Sequence, residues 1–459
     1  MNPGRIAAFD RLVDHASEWP RIDPPRDEAA AMWSTDMDPR DAALGRMIER
    51  QAVRRWITLK SLLEHQLTRP WAKVEFPLQA ALLGGAAQLI LMDRIPEHAA
   101  VDETVEWAKR RLRPGAGGMV NAVLRGLAAL REERLSPEAF AACDPEACDL
   151  IPLEGGGAWK LRKPVFSASP PDRLSQKTGL PLQVLLRWIN RFGMAEARRV
   201  ALHGLVQPPI FVHGLPSGTP NAELVNGTTA SVWTGDHAQL VAVLAEHPMA
   251  RVQDISSAMA VELTAGMQPR IIIDACAGRG TKSLQLAAQH PQAEVIASEP
   301  DEARCNALKA VAERVRGLAN IRVATGNDLA ALIGQADLLV LDVPCSNTGV
   351  LPRRIEAALR LNPISIQSLV SLQRQIVEQH LPLLKPGGAV LFATCSMEPE
   401  ENERQVEWMT ARLGKISPQT ERRRPEGLPG DPPNVYRDGA FAALYTAVSP
   451  RVQFGAGIR

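Results

Sequence analysis

The sequence predicts a multidomain protein in which an α-helical N-terminal bundle precedes an α/β domain built on a parallel sheet. Three observations lead there. Over residues 1–145 the apolar side chains recur at helical spacing, with short Pro- and Gly-bearing loops between segments. Over residues 146–175 that pattern breaks, at Gly155 to Gly157 and at Pro164, Pro170 and Pro171. From residue 251 short runs of Ile, Val and Leu alternate with helical stretches, as in a sheet covered by helices on both faces.

Each segment supports its assignment. In the bundle, Ile6, Phe9, Leu12 and Val13 share a helix face, and Val53, Trp56, Ile57 and Leu59 to Leu63 form a second helical segment. Residues 77–93 are apolar on most sides and predict a buried helix; 101–112 and 117–131 continue the pattern. Residues 146–175 are expected to be a linker with little regular structure. A small mixed α/β segment follows over 176–250, with an amphipathic helix at 180–193 and an extended run at 208–214. Over 251–450 the predicted strands are IIIDACAG, EVIASEP, IRVATGND, DLLVLDVPCS and AVLFATCS, separated by helices at 281–289, 301–315 and 366–384.

Composition narrows the function classes. The chain has 459 residues, 45% hydrophobic and 22% charged, which is enough apolar material for several cores. Lys and Arg number 52 against 51 Asp and Glu, so any nucleic-acid contact must come from a local basic face. Aromatic residues are 4%, which argues against reading bases through many stacked rings. The six cysteines contain no C-x-x-C pair and no histidine pair stands at a zinc spacing, so neither a disulfide framework nor structural zinc is expected. No run of eighteen apolar residues and no secretion signal are found, and a monomeric cytoplasmic protein is the expectation.

Ligands of an open parallel sheet collect at the carboxyl ends of its strands, and the informative residues fall there. The first predicted strand ends in Cys276, Ala277, Gly278, Arg279, Gly280, Thr281 and Lys282, where glycines let backbone approach a ligand at the start of a helix. A strand followed by G-x-G is by itself a common tight turn. The second strand ends in Glu299, placed to accept from a ribose diol or simply to face solvent. The third ends in Asn327 and Asp328, polar groups able to hold an adenine edge. The fourth ends in Asp342 and Cys345, the fifth in Cys395. Cys143, Cys148 and Cys305 read as small apolar residues. Cys345 and Cys395 emerge together on neighbouring strand ends and read as functional.

Two thiols and a carboxylate beside a methyl donor suit one chemistry. Carbon 5 of a pyrimidine is a poor nucleophile until a thiolate adds to carbon 6 and makes it enamine-like. A carboxyl at the ring-nitrogen edge stabilises the charge that develops, and a second group assists release of the first thiolate. The attacking thiol must be ionised.

The segments DACAGRGTK, LDVPCSNTGV and ATCSMEPEENE resemble the motifs of the Sun/RsmB family of RNA 5-methylcytosine methyltransferases. VQDISSA at 252–258 and EGLPGDPPNVYRDGAFAAL at 426–444 are also similar to family elements. Residues 93–107 and 118–127 resemble the NusB-like RNA-binding domain of the ribosomal branch. The resemblance implies a NusB-like bundle joined to a Rossmann-like class I methyltransferase domain. It implies S-adenosyl-L-methionine as cofactor and a cytosine of small-subunit ribosomal RNA as substrate. It also implies that Cys395 is the nucleophile, that Cys345 serves product release, and that Asp342 contacts both the cytosine and the cofactor region. Cys276 through Lys282, Glu299, Asn327 and Asp328 take the cofactor-binding positions.

The chain departs from the family pattern in places. The usual C-A-A-P-G-G-K loop reads C-A-G-R-G-T-K here, Asn327 stands where an Asp is usual, and LPRRIEAALRL replaces a basic His-Pro-Asp stretch. Arg353 and Arg354 are the leading candidates for phosphate contacts among basic segments that include 109–111, 198–199 and 422–424. Two alternatives stand beside the ribosomal enzyme: a non-catalytic RNA-binding or ribosome-assembly factor that kept the fold, and a transfer RNA cytosine-5 methyltransferase. A nicotinamide enzyme is disfavoured because the loop lacks G-x-G-x-x-G.

Overall fold

The computed structural model describes residues 1–20, 37–414 and 416–448, with the side chains of 327, 447 and 448 set aside. Two compact units emerge. One comprises Met1–Gln207, Leu351–Asn362 and Gly427–Asp431; the other comprises Pro208–Val350, Pro363–Glu426 and the chain from Pro432 onward.

The first unit begins with the expected helices, at Pro3–Glu18, Pro39–Arg54, Trp56–Glu64, Phe76–Leu91, Glu97–Arg111 and Pro114–Ala129. Asn2 and Asp38 cap the first two by accepting from backbone amides. Helix Phe76–Leu91 is buried from Leu78 through Ile90, as its all-round apolar sequence requires. Phe9, Leu12, Ile48, Trp56, Leu59 and Leu124 share its core.

Residues 146–175, expected as a linker, are structured. Strands β1 (Arg131–Leu135), β2 (Leu150–Pro152) and β3 (Ala158–Leu161) form an antiparallel sheet in the order β1-β3-β2. Val165 and Phe166 bury into the helical core. The glycines and prolines there punctuate short strands rather than loosen the chain, and apolar Leu150, Ile151 and Leu161 supply the burial. Helices Pro170–Thr178, Leu182–Phe192 and Met194–His203 also belong to this unit, so the compact boundary lies after Gln207 instead of at 145 or 175.

The second unit opens with β4 (Phe211–His213), β5 (Ala222–Leu224), β6 (Ala230–Trp233) and β7 (Arg251–Val252), a small sheet in the order β5-β6-β4-β7. The large sheet holds β8 (Ile271–Asp274), β9 (Glu294–Ala297), β10 (Ile321–Val323), β11 (Ala336–Asp342), β12 (Leu384–Thr394), β13 (Gln419–Arg423) and β14 (Ala440–Val448). Its order is β10-β9-β8-β11-β12-β14-β13. The first five are parallel, and β14 runs antiparallel to both β12 and β13.

Side chains of these strands alternate between two cores. Ile273, Leu339, Leu341 and Phe392 pack on one face with Val377 and Met409, while Ile272, Leu338, Val340 and Leu391 pack on the other with Met259 and Leu286. The strand order reverses between β8 and β11, which opens a crevice at their carboxyl ends. Among the described residues no helix is long and apolar enough to cross a membrane.

Candidate active site

The crevice gathers residues from three strand ends. Beyond β11 the chain reaches Cys345, and beyond β12 it reaches Cys395; their Sγ atoms lie 3.3 Å apart. Both thiols are half-buried. Hydrogen bonding to Cys395, then burial, pushes the Cys345 thiol well above its ordinary range. Asn347 joins the two loops. Its Nδ2 donates to the Cys345 carbonyl at 3.0 Å, and its Oδ1 accepts from Cys395 Sγ at 3.2 Å. Asn347 has a φ of 59°, a left-handed conformation that Asn tolerates better than most residues.

Lys282, from the helix Thr281–Gln289, reaches across to β11. Its Nζ donates to Asp342 Oδ2 at 2.7 Å and to Ser257 Oγ at 3.2 Å. Burial works against the ammonium, but Asp342 outweighs it, and with the nearby Cys395 and Asp274 it raises the lysine above its usual value. Asp274, at the end of β8, is fully buried and accepts from Ser283 Oγ at 2.7 Å. Desolvation pushes its carboxyl up to about 6, and its Oδ1 has no hydrogen-bond partner among the described residues.

The glycine turn after β8 is held by Glu299. Glu299 Oε2 accepts from Gly278 N at 3.0 Å; Oε1 accepts from Asp301 N at 2.9 Å and pairs with Arg304 at 2.9 Å. Gly278 and Gly280 have φ of 56° and 88°. A side chain on Gly280 would meet Leu308 Cδ1 at 2.8 Å, whereas one on Gly278 would enter open space among the described residues. Ala277 is buried, with its N–H on the Ser298 carbonyl at 3.0 Å. Cys276 packs against the sheet core, and burial pushes its thiol up strongly, so it acts as an apolar filler. Arg279 is exposed, and Thr281 is the first residue of the helix.

The residues beyond β10 are placed differently from the rest. Asp328 lies in the short helix Gly326–Ala330 and turns back to cap it, accepting from Thr325 N and Thr325 Oγ1 at 2.7 Å each. Those bonds hold its carboxyl below the usual range. The side chain of Asn327 lies outside the described residues. Arg353 and Arg354 are exposed and belong to the segment Leu351–Asn362 of the first unit. Cys143, Cys148 and Cys305, read from the sequence as small apolar residues, are half-buried.

Sequence reasoning gave no role to several residues that build the site. Glu401 lies at the centre of a buried cluster with Ser346, Ser396 and Gln373. Asn347, Ser257 and Asp274 also went without roles. The signal was present for most of them, which lie inside a motif segment within four residues of a cysteine, of the first strand end, or of the VQDISSA run; Glu401 stands six residues beyond Cys395, and Gln373 lies outside every motif segment.

The array of bonded carboxylates and glycines suits an S-adenosyl-L-methionine site. Gly278 opens toward free space, Glu299 fixes the turn, and one buried carboxylate oxygen of Asp274 has no partner among the described residues.

Comparison with known proteins agrees with the fold. Residues 258–422 match the model of the 16S rRNA methyltransferase RsmB/F family, and residues 3–129 match the NusB family. The chain is 31% identical to ribosomal RNA small subunit methyltransferase B of Xanthomonas campestris over 376 residues, covering 81% of this chain and 79% of that protein. It is 30% identical to the protein of the same name in Yersinia enterocolitica over 352 residues, covering 76% and 77%. The crystal structure of PH0851 superposes with a TM-score of 0.64 at 18% identity, covering 96% of this chain and 98% of that one, which establishes a shared fold. With a NusB-like helical region ahead of a methyltransferase domain, and at that identity and coverage, the chain belongs to the 16S rRNA methyltransferase RsmB/F family.

Proposed function

We propose that this protein methylates carbon 5 of a cytosine in small-subunit ribosomal RNA, using S-adenosyl-L-methionine and a covalent adduct on Cys395. The observation that carries the reading is the 3.3 Å approach of the Cys345 and Cys395 sulfurs at adjoining strand ends, beside the Lys282–Asp342 pair. Gly278, Gly280, Glu299 and Asp274 would hold the cofactor, with Asp342 at its edge. When bound, S-adenosyl-L-methionine supplies an electrophilic methyl group for carbon 5.

The chain's own residues supply the rest. The Cys395 thiolate forms a bond to carbon 6 of cytosine, and the electron pair of the 5,6 double bond moves toward the ring nitrogen. The Lys282–Asp342 pair faces that developing charge and lends a proton to the nitrogen. In the release step Cys345, as thiolate, takes the proton from carbon 5, the electron pair of that bond restores the 5,6 double bond, and the sulfur–carbon 6 bond breaks to return the Cys395 thiolate; Cys345 then gives its proton to solvent. The nitrogen then returns its proton. Cys345 serves release. Its Sγ lies 3.3 Å from Cys395 Sγ, which supports placing it within reach of the adduct that Cys395 forms.

Bisulfite sequencing of total RNA from cells with and without the gene tests this reading. A cytosine of small-subunit RNA protected only when the gene is present is the expected result. Protection confined to transfer RNA, or no difference, contradicts it.

A further inference from the structure

Glu401 has no exposed surface, yet its carboxylate collects four donors. Oε1 accepts from Ser346 N at 2.9 Å and from Gln373 Nε2 at 3.0 Å, while Oε2 accepts from the hydroxyls of Ser346 and Ser396. Ser346 follows Cys345 directly, and Ser396 follows Cys395 directly. One carboxylate therefore ties together the residues next to both sulfurs.

The neighbouring side chains complete the tie. Gln373 Nε2 also donates to the Pro344 carbonyl at 2.9 Å, on the other side of Cys345, and its Oε1 is fixed by Gln405 Nε2 at 2.8 Å. Asn402 accepts from Thr394 Oγ1 at 2.6 Å and donates to the Ser396 carbonyl at 2.8 Å, so it grips the Cys395 loop from both sides. Thr348 Oγ1 accepts from Met397 N at 2.9 Å and links the same two loops on a second line. A buried carboxylate is costly unless it is saturated with hydrogen bonds, so such a group persists where its geometry serves a purpose.

We propose that Glu401 is a positioning residue that sets the separation of the Cys345 and Cys395 sulfurs, and so the efficiency of the two-thiol reaction. The inference rests on the methyltransferase reading for its catalytic consequence, but the sulfur separation is measurable without RNA or cofactor. A carboxylate one methylene shorter cannot reach both loops. An amide of the same length can: its oxygen accepts from Ser346 N and Gln373, and its NH2 donates to the two hydroxyls, which rotate to accept.

The experiment uses the full-length protein and diamide as a ruler. Diamide takes two electrons and two protons from adjacent thiols and leaves a disulfide, whose formation between residues 345 and 395 is followed by peptide mass spectrometry. In wild type, with the sulfurs 3.3 Å apart, this disulfide is expected to form rapidly. Glu401→Asp is expected to form it about 10-fold more slowly and to lower kcat by about 10- to 100-fold with KM for RNA unchanged. Glu401→Gln is expected to recover most of both.

If Glu401→Asp does not melt cooperatively, the double variant Ser346→Ala/Ser396→Ala removes only the two hydroxyls and is expected to slow disulfide formation in the same direction. Unchanged disulfide rates in Glu401→Asp, or in the double variant where it is used, overturn the proposal. Slowed disulfide formation in a protein whose wild type methylates no RNA leaves Glu401 as the spacer and defeats the functional reading alone.

Discussion

Lys282 Nζ and Asp342 Oδ2 are 2.7 Å apart, joining the first turn of the helix after β8 to the last residue of β11. The pair spans the two strands between which the sheet order reverses, so it connects the glycine turn to the cysteine loops. The lysine side chain is 14% exposed and the aspartate 32%, placing the pair between the buried and solvent-screened limits.

Lys282→Met should lower methyl transfer by about 100-fold or more, the typical scale for losing one preorganised charge at a reacting centre. Single-turnover transfer to ribosomal RNA measures it. Because the folded-state value of Lys282 is raised, the stability it contributes is fully present below its unfolded value of about 10.4 and is lost only as pH rises through the higher folded value. The alkaline limb of a pH–rate profile below about pH 9 therefore should not shift between wild type and a Lys282→Arg variant.

Asp274 carries the opposite pH signature to an ordinary paired carboxylate. Its carboxyl is pushed up to about 6 by burial, against about 3.9 in an unfolded chain. As pH falls through 6, the folded protein takes up this proton before the unfolded chain does, so the contribution of Asp274 to stability rises. It is fully present below the unfolded value and lost above the folded one, a swing of at most about 3 kcal/mol. Asp274→Asn, which keeps an acceptor for Ser283, should lack that swing. Thermal melts compare the two proteins, and the variant should gain stability relative to wild type on going from about pH 5 to about pH 8.

The two glycines of the cofactor turn should respond unequally to alanine. Gly280→Ala combines a left-handed φ with a methyl group 2.8 Å from Leu308. Denaturant unfolding should show a loss of about 2 kcal/mol or more. Gly278→Ala meets open space, so it should cost only about 1 kcal/mol through its backbone. Its main effect should be weaker binding of S-adenosyl-L-methionine by calorimetry, because the methyl group enters the space assigned to the cofactor.

Much of this arrangement was legible in the sequence, for identifiable reasons. Four of the five parallel strands, β8, β9, β11 and β12, announce themselves because they are largely buried on both faces and so are nearly unbroken apolar runs, whereas β10 is a half-exposed edge strand. The carboxyl ends of β8, β11 and β12 then locate Cys345, Cys395, Asp342 and Lys282. The segment 146–175 misled because a short strand bounded by Gly and Pro looks like a loop until the burial of Ile151, Val165 and Phe166 is seen. Glu401 was hidden because a charged residue in a motif says nothing of burial; only the fold brings it under Ser346 and Ser396. Asp328 was read as a ligand group, but its local sequence, Thr325-Gly-Asn-Asp328, is also a capping box, and the structure uses it so.

The central claim is that Cys395 attacks the base and Cys345 releases it, and trapping measures this most directly. Purified Cys345→Ala and Cys395→Ala variants are incubated with unmethylated small-subunit RNA and S-adenosyl-L-methionine, then resolved under denaturing conditions. Cys345→Ala should accumulate a covalent protein–RNA complex, and Cys395→Ala should form none. A complex formed by Cys395→Ala, or normal turnover without a complex by Cys345→Ala, would contradict the account.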